Sequence, residues 1–264
     1  MTKVLNIRHL IIILYLLGGM LLTFLVFTFF YQYVAALGSL GAVVAEFGNI
    51  RILTALGLSL LSAVATAFLA IIFGIPLAYI FAMKDFRGKL LLETLTVDVP
   101  QTFPPVAEGM IFLLMLGPTS LLHVNLAFTF TALVIAKFYI SAPFVISYTA
   151  PRFREIRQTG INLTARSLGA SPFQVFSTVL IPLARKDIGA GATLCWSRAM
   201  GELGGSLIFA GVIPSQTEII PTFIATQATT LTAAALAATI LITTASTLAI
   251  VTVKRLTSSK SGYQ

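Results

Sequence analysis

Charge is scarce in this sequence. Asp, Glu, Lys and Arg make up 10% of the 264 residues, against about 25% in a typical soluble domain. That shortage excludes an ordinary water-soluble domain. Cysteine is scarcer still. Cys195 is the only one, which excludes an intrachain disulfide and a cysteine-based metal cluster. It reads as a small packing residue. His9 and His123 are the only histidines, too few for a histidine metal site and without the neighbours of a catalytic triad. No GxxxxGK[ST] phosphate loop occurs, so nucleotide chemistry of that kind requires another chain. The expectation is a chain that is no enzyme, with no metal and no cofactor of its own.

Apolar residues are what the chain has in abundance, at 57% with a mean hydropathy of +0.96. A bilayer core of about 30 Å needs about 20 apolar residues in a helix. Six stretches qualify: 10–30, 53–83, 99–116, 126–148, 188–213 and 231–253. The third is interrupted by prolines and Glu108, the fourth carries Lys137, and the fifth carries Arg198 and Glu202. The first has a basic flank, but its apolar run exceeds a signal core of about 7–15 residues and no clean cleavage site follows. It reads as a retained helix. The expected fold is an all-α membrane protein of six transmembrane helices, one permease-type domain over 1–264, with a polar tail at 257–264.

The net charge of +8 invites a nucleic-acid reading. Its distribution argues for a membrane instead. One alternating set of connecting segments holds Lys3, Arg8, Lys84, Arg87, Lys89, Arg152, Arg154, Arg157, Arg166, Arg185, Lys186, Lys254, Arg255 and Lys260. The opposite set holds only Arg51. Cytoplasmic loops are the ones enriched in Lys and Arg, so both termini are expected in the cytoplasm, with no nucleic acid as partner.

The longest segment on the basic side, 150–187, suits two short helices. Within it, Leu163, Thr164, Ala165, Arg166, Ser167, Leu168, Gly169, Ala170, Ser171 and Pro172 set up a turn. Gly169 stands where a helix ends in a left-handed cap. Ser171 is an N-cap, Pro172 suits the first helical position, and Gln174 completes a capping box. Phe173, Phe176 and Leu180 recur at helical spacing, and Pro182 is expected to stop the second helix. An ordinary amphipathic interfacial helix reads equally well from these features alone.

The pattern from Ala165 through Gly169 to Val179, Ile181 and Pro182 resembles the signature of binding-protein-dependent ABC importer permeases: Glu-Ala-Ala, three residues, Gly, nine residues, Ile, one residue, Leu-Pro. Leu163 and Thr164 depart from it. The stretch 198–214, Arg-Ala-Met-Gly-Glu-Leu-Gly-Gly and onward to Pro214, resembles the fifth-span region of molybdate, tungstate and sulfate permeases. Pro100 to Gly109 resembles their proline-rich third span. The resemblance implies a type I importer architecture whose cytoplasmic helix–turn–helix, about 160–183, couples to an ATP-binding subunit. It implies a second copy of this chain, two ATP-binding cassette subunits carrying ATP and Mg, and an extracytoplasmic binding protein. A tetrahedral oxyanion is the implied cargo, in the plasma membrane of a bacterium or archaeon.

Charges inside spans cost about 2.5–3.5 kcal/mol each on insertion scales and are functional by default. Arg198 and Glu202, four apart, are expected to share a helix face, either as a mutual ion pair or beside a translocation path. Pro104, Pro105, Glu108, Gly201, Gly204 and Gly205 complete the pathway or gate candidates. Lys137 reads as paired or snorkelling. The first and sixth spans read as uniformly apolar. The competing function is a stand-alone carrier or channel. Moving a dianion inward against about 100 mV costs about 4.6 kcal/mol, which favours an ATP-driven device.

Overall fold

The computed structural model describes the backbone of residues 7–227 and 232–258, and the side chains of 10–227 and 232–255. All regular structure among the described residues is helical. Helix α1 (Ile7–Leu37) is followed by the short α2 (Leu40–Glu46) and the 34-residue α3 (Ile50–Met83). Asn49 caps α3 by accepting the Arg51 N–H. Most of the buried residues of α3 are small, Ala55, Ser59, Ser62, Ala63, Thr66, Ala70, Gly74, Ala78 and Ala82, with Ile52, Ile75 and Phe81 among them. Small residues at helical spacing let neighbouring backbones approach closely. At Gly74 an added Cβ would stand 3.3 Å from the Val145 side chain.

The next stretch is not one helix. Helix α4 (Lys89–Glu93) runs through a π-helical turn, Thr94–Asp98, into α5 (Val99–Thr102). After a break comes α6 (Pro105–Leu116), bent by 115° from the preceding segment. Sequence explains the bend. A residue before proline is driven out of the helical region, and Phe103 and Pro104 both precede prolines. Their ψ values are 137° and 119°.

Helix α7 (Phe130–Ser141) and α8 (Pro143–Gln158) form one continuous apolar stretch of 29 residues. Helices α9 (Ile161–Ser167) and α10 (Pro172–Gln174) form a helix pair. A π-helical segment, Val175–Leu180, leads directly into α11 (Ile181–Met200). Pro182 therefore does not stop a helix but occupies the first turn of a new one. Proline lacks an N–H and its ring collides with the carbonyl four residues back. The wide π turn before it opens the ladder where those defects fall. Helix α11 begins earlier and ends earlier than the 188–213 expected. It is followed by a π-helical segment, Ser206–Ala210, then α12 (Ile220–Gln227) and α13 (Ala233–Ser258). Thr257 and Ser258 of the polar tail finish α13; the remainder lies outside the described residues.

Four helical stretches are long and apolar enough to cross a membrane, Leu10–Leu37, Ile50–Met83, Phe130–Gln158 and Ala233–Arg255, and the bent pair makes a fifth. Contacts sort the bundle into two ends. At the basic end, Arg157 bonds the Ala82 carbonyl and Asp85, Arg154 pairs with Glu93, and Arg152 reaches Asp187. At the opposite end, the Leu126 N–H donates to the Leu116 carbonyl, and the Phe128 N–H to the Phe209 carbonyl. There Arg51 clasps Glu218, and the Ile220 N–H donates to Ser59 Oγ. Helix α1 meets the rest mainly through α2 and α13, with Tyr33 bonded to Thr244 and Gln32 accepting from Thr243. Helix α13 is thus not uniformly apolar: its hydroxyls hold α1.

Candidate functional site: a buried charge cluster and a projecting helix pair

Three of the four charged residues in the spans are buried: Glu108, Lys137 and Glu202. Arg198 is half-buried. Glu202 does not share a helix with Arg198. Helix α11 ends at Met200 with Gly201 as its cap. Glu202 lies past that end and turns its carboxylate onto the next helical start, accepting the Gly205 N–H at 2.8 Å and the Ser206 N–H at 3.0 Å. The Ser206 hydroxyl donates to it as well. A helix start leaves its first amide groups without partners and carries partial positive charge, so the carboxylate is held by the backbone. No ion pair joins Arg198 to Glu202 among the described residues.

Lys137 does not snorkel. It is fully buried on α7, and its ammonium donates to Ser62 Oγ on α3 at 2.7 Å. Ser62 in turn donates to the Leu58 carbonyl. Lys137 lies within electrostatic reach of Glu202, and Glu108 within reach of both Glu202 and Arg198. Two acids and two bases thus share one region of low dielectric. Among the described residues, neither carboxyl oxygen of the buried Glu108 has a hydrogen-bond partner.

Glycines hold this region together. A Cβ on Gly109 would stand 2.8 Å from Ile208 Cβ, and one on Gly204 2.8 Å from Pro105 Cβ. A Cβ on Gly205 would stand 3.3 Å from the Glu108 carboxyl. Helix α6 therefore packs backbone to backbone on 204–210, and Pro105, Glu108, Gly204 and Gly205 are brought together. Gly201 is different: it is exposed with open space around it. Pro104 is exposed too.

The helix pair is built locally. Helix α9 ends in a Schellman motif. The Gly169 N–H donates to the Arg166 carbonyl, the Ala170 N–H to the Ala165 carbonyl, and Gly169 has φ 91°. The Ser171 capping box is complete, with the Gln174 N–H donating to Ser171 Oγ and the Ser171 N–H to Gln174 Oε1. Ala165, Ala170, Phe176, Val179 and Ile181 pack on the main core, where the Phe176 ring meets Tyr79 and Phe153. Leu163, Leu168 and Phe173 point away, Leu168 at 84% and Phe173 at 75% exposure.

One pair escaped the sequence reading. Arg51 binds Glu218 through two bonds of 2.8 and 2.7 Å and stacks over Phe223 at 5.4 Å. The available signal was Arg51 itself, the lone basic residue of its side of the chain. Nothing pointed to Glu218, 167 residues away.

Residues 70–261 match the family described as the binding-protein-dependent transport system inner membrane component. The chain belongs to this family. Among relatives of this inner membrane component, the molybdate/tungstate transport system permease protein WtpB of Thermococcus kodakarensis is 39% identical over 58% of this chain and 58% of its own length. The sulfate transport system permease protein CysW of Synechococcus elongatus is 29% identical over 70% of this chain and 66% of its own. The chain spans 58–61% of the length of the molybdate/tungstate and molybdenum relatives it matches. A bacterial ABC transporter involved in the import of the acidic polysaccharide alginate shares the fold, with TM-score 0.66 at 15% identity over 93% of this chain and 96% of that one.

Proposed function

We propose that this inner membrane component is the permease subunit of an ATP-driven oxyanion importer. The observation that carries the reading is the projecting helix pair. Its backbone is capped at both helix ends, its inner face is anchored in the core, and three large apolar side chains stand in water. Exposed apolar patches of this kind mark docking sites. Leu163, Leu168 and Phe173 are the groups to enter a cleft of an ATP-binding subunit, which holds ATP and Mg. Two chains of this sequence assemble with two such subunits. The relatives named for molybdate, tungstate and sulfate transport support a tetrahedral oxyanion as cargo, handed over by an extracytoplasmic binding protein.

In this reading the chain is one permease domain with six spans and both termini cytoplasmic. Support for the count comes from the third and fifth stretches, which touch both ends of the bundle despite their breaks. The polar candidates divide by exposure. Pro104, Gly201 and the half-buried Arg198 suit the wall of a path between two facing subunits. Glu108, Glu202, Gly204 and Gly205 brace that wall from behind. A shallow, weakly polar wall suits transport, since a deep well slows release.

The test is uptake of labelled molybdate, tungstate and sulfate into proteoliposomes holding this chain, the partner ATPase and the binding protein. ATP-dependent uptake that disappears with Leu168→Ser/Phe173→Ser is expected. Uptake by this chain alone, without ATPase, overturns the proposal and makes it a self-sufficient carrier.

A further inference from the structure

We infer that Arg198 is the group a tetrahedral oxyanion meets midway through the membrane, held by the guanidinium fork as it passes. The inference rests on the importer reading above and names the residue that reads the cargo's charge. Depth comes first. Arg198 stands twelve residues beyond Lys186 on α11, about 18 Å along the axis at 1.5 Å per residue. Lys186 adjoins Asp187, which Arg152 holds at the basic end. The guanidinium is therefore deep in a core of about 30 Å. By helical spacing, Leu194, Arg198 and Gly201 lie on one side of α11 and its cap, and both Leu194 and Gly201 are exposed. Glu108 of α6 is within electrostatic reach of Arg198, and the start of α6 exposes Pro104 and Ala107.

The charge is also unspent. Arg198 makes no hydrogen bond or ion pair among the described residues. All nine acids of the chain lie among those residues, so this chain holds no other carboxylate for it. Glu202 gives its carboxylate to Gly205 and Ser206, and Glu108 accepts no hydrogen bond. A guanidinium left unpaired at this depth is costly against lipid; intramembrane charges face a cavity or a pathway instead. Arginine presents five N–H donors in a rigid fork that matches paired anionic oxygens. Glu108 tempers the positive field, so the anion is met and released rather than trapped.

The experiment uses proteoliposomes holding the whole complex and reads labelled molybdate and sulfate moved per ATP hydrolysed. Arg198→Gln should lower that ratio roughly 10- to 100-fold, the loss of one charge-assisted fork. Arg198→Lys, which keeps the charge, should recover part of it. Gly201→Glu adds an acid beside the fork with Arg198 intact, and should lower the ratio more than Gly201→Gln does. A parental ratio in Arg198→Gln overturns the inference, as do equal ratios in the two Gly201 variants. Recovery in Glu108→Gln/Arg198→Gln would make Arg198 a neutraliser of Glu108 and overturn it as well. So would a lowered melting temperature in Arg198→Gln with the ratio unchanged, the mark of a brace. Absence of ATP-dependent uptake by the unmodified complex is a separate result: it overturns the importer reading, and this inference with it.

Discussion

The projecting helix pair and the buried charge cluster are both polar interruptions in an apolar chain, yet they are held in opposite ways. In the helix pair every cap partner lies within five residues: Ala170 to Ala165, Gly169 to Arg166, Ser171 to Gln174. In the cluster, Lys137 reaches Ser62 across 75 positions, and Gly109 meets Ile208 across a helix boundary. The helix pair spends local hydrogen bonds to present apolar groups to water. The cluster uses long-range contacts to hide charge from lipid. The helix pair is self-contained, whereas the brace inside the bundle is shared among α3, α6, α7 and 202–210.

The sharpest break in this contrast is Glu202→Leu. It strips the acceptor from two buried amides and a hydroxyl and removes a counter-charge from Lys137. Breaking a buried charged arrangement costs about 3–5 kcal/mol, so thermal unfolding in detergent should show a large loss or failed assembly. A wild-type melting temperature would show that the cluster does not hold the bundle. Next in size is overpacking. Gly204→Val places a Cβ 2.8 Å from Pro105 and should cost about 1–3 kcal/mol. Gly201→Ala, with nothing within 4 Å, should melt like the parent. Equal melting of the two variants would dissolve the distinction between brace and open wall.

On the other side of the comparison, Gly169→Val strains a left-handed residue by about 1–3 kcal/mol. The damage should stay in the helix pair: ATPase association falls while the unfolding of the spans is unchanged. A matching global loss of stability would mean the pair is not self-contained. Ser171→Ala removes one cap, about 1 kcal/mol, and should appear only as faster amide exchange over 172–176. The smallest effect concerns acid. Asp85, bonded first to Arg157 and then to Lys89, is lowered to about 2. Its native pKa lies below the usual carboxylate value of about 3.9. Its contribution is therefore complete above pH 4 and fades as pH falls toward 2. Asp85→Asn should leave unfolding between pH 5 and 8 nearly unchanged, since the pair is exposed.

Composition and periodicity settled that this chain is helical and apolar enough to cross a membrane several times, because burying backbone in lipid admits few alternatives. Local chemistry also settled the Schellman turn at Gly169 and the capping box at Ser171, since those partners sit a few residues apart. The prolines at 104 and 105 announced an interruption, but the 115° bend belongs to three dimensions. The structure alone decided that Pro182 starts a helix rather than ending one, because the π turn before it absorbs the missing hydrogen bond. It alone decided that Glu202 caps the next segment instead of pairing with Arg198, that Lys137 answers to Ser62, and that Arg51 holds Glu218. For Lys137 and Arg51 the outcome depends on which distant hydroxyl or charge arrives within 3 Å, which no spacing along the chain carries; for Glu202 and Pro182 the partners are near in sequence, and what the structure decided is where one helical segment ends and the next begins.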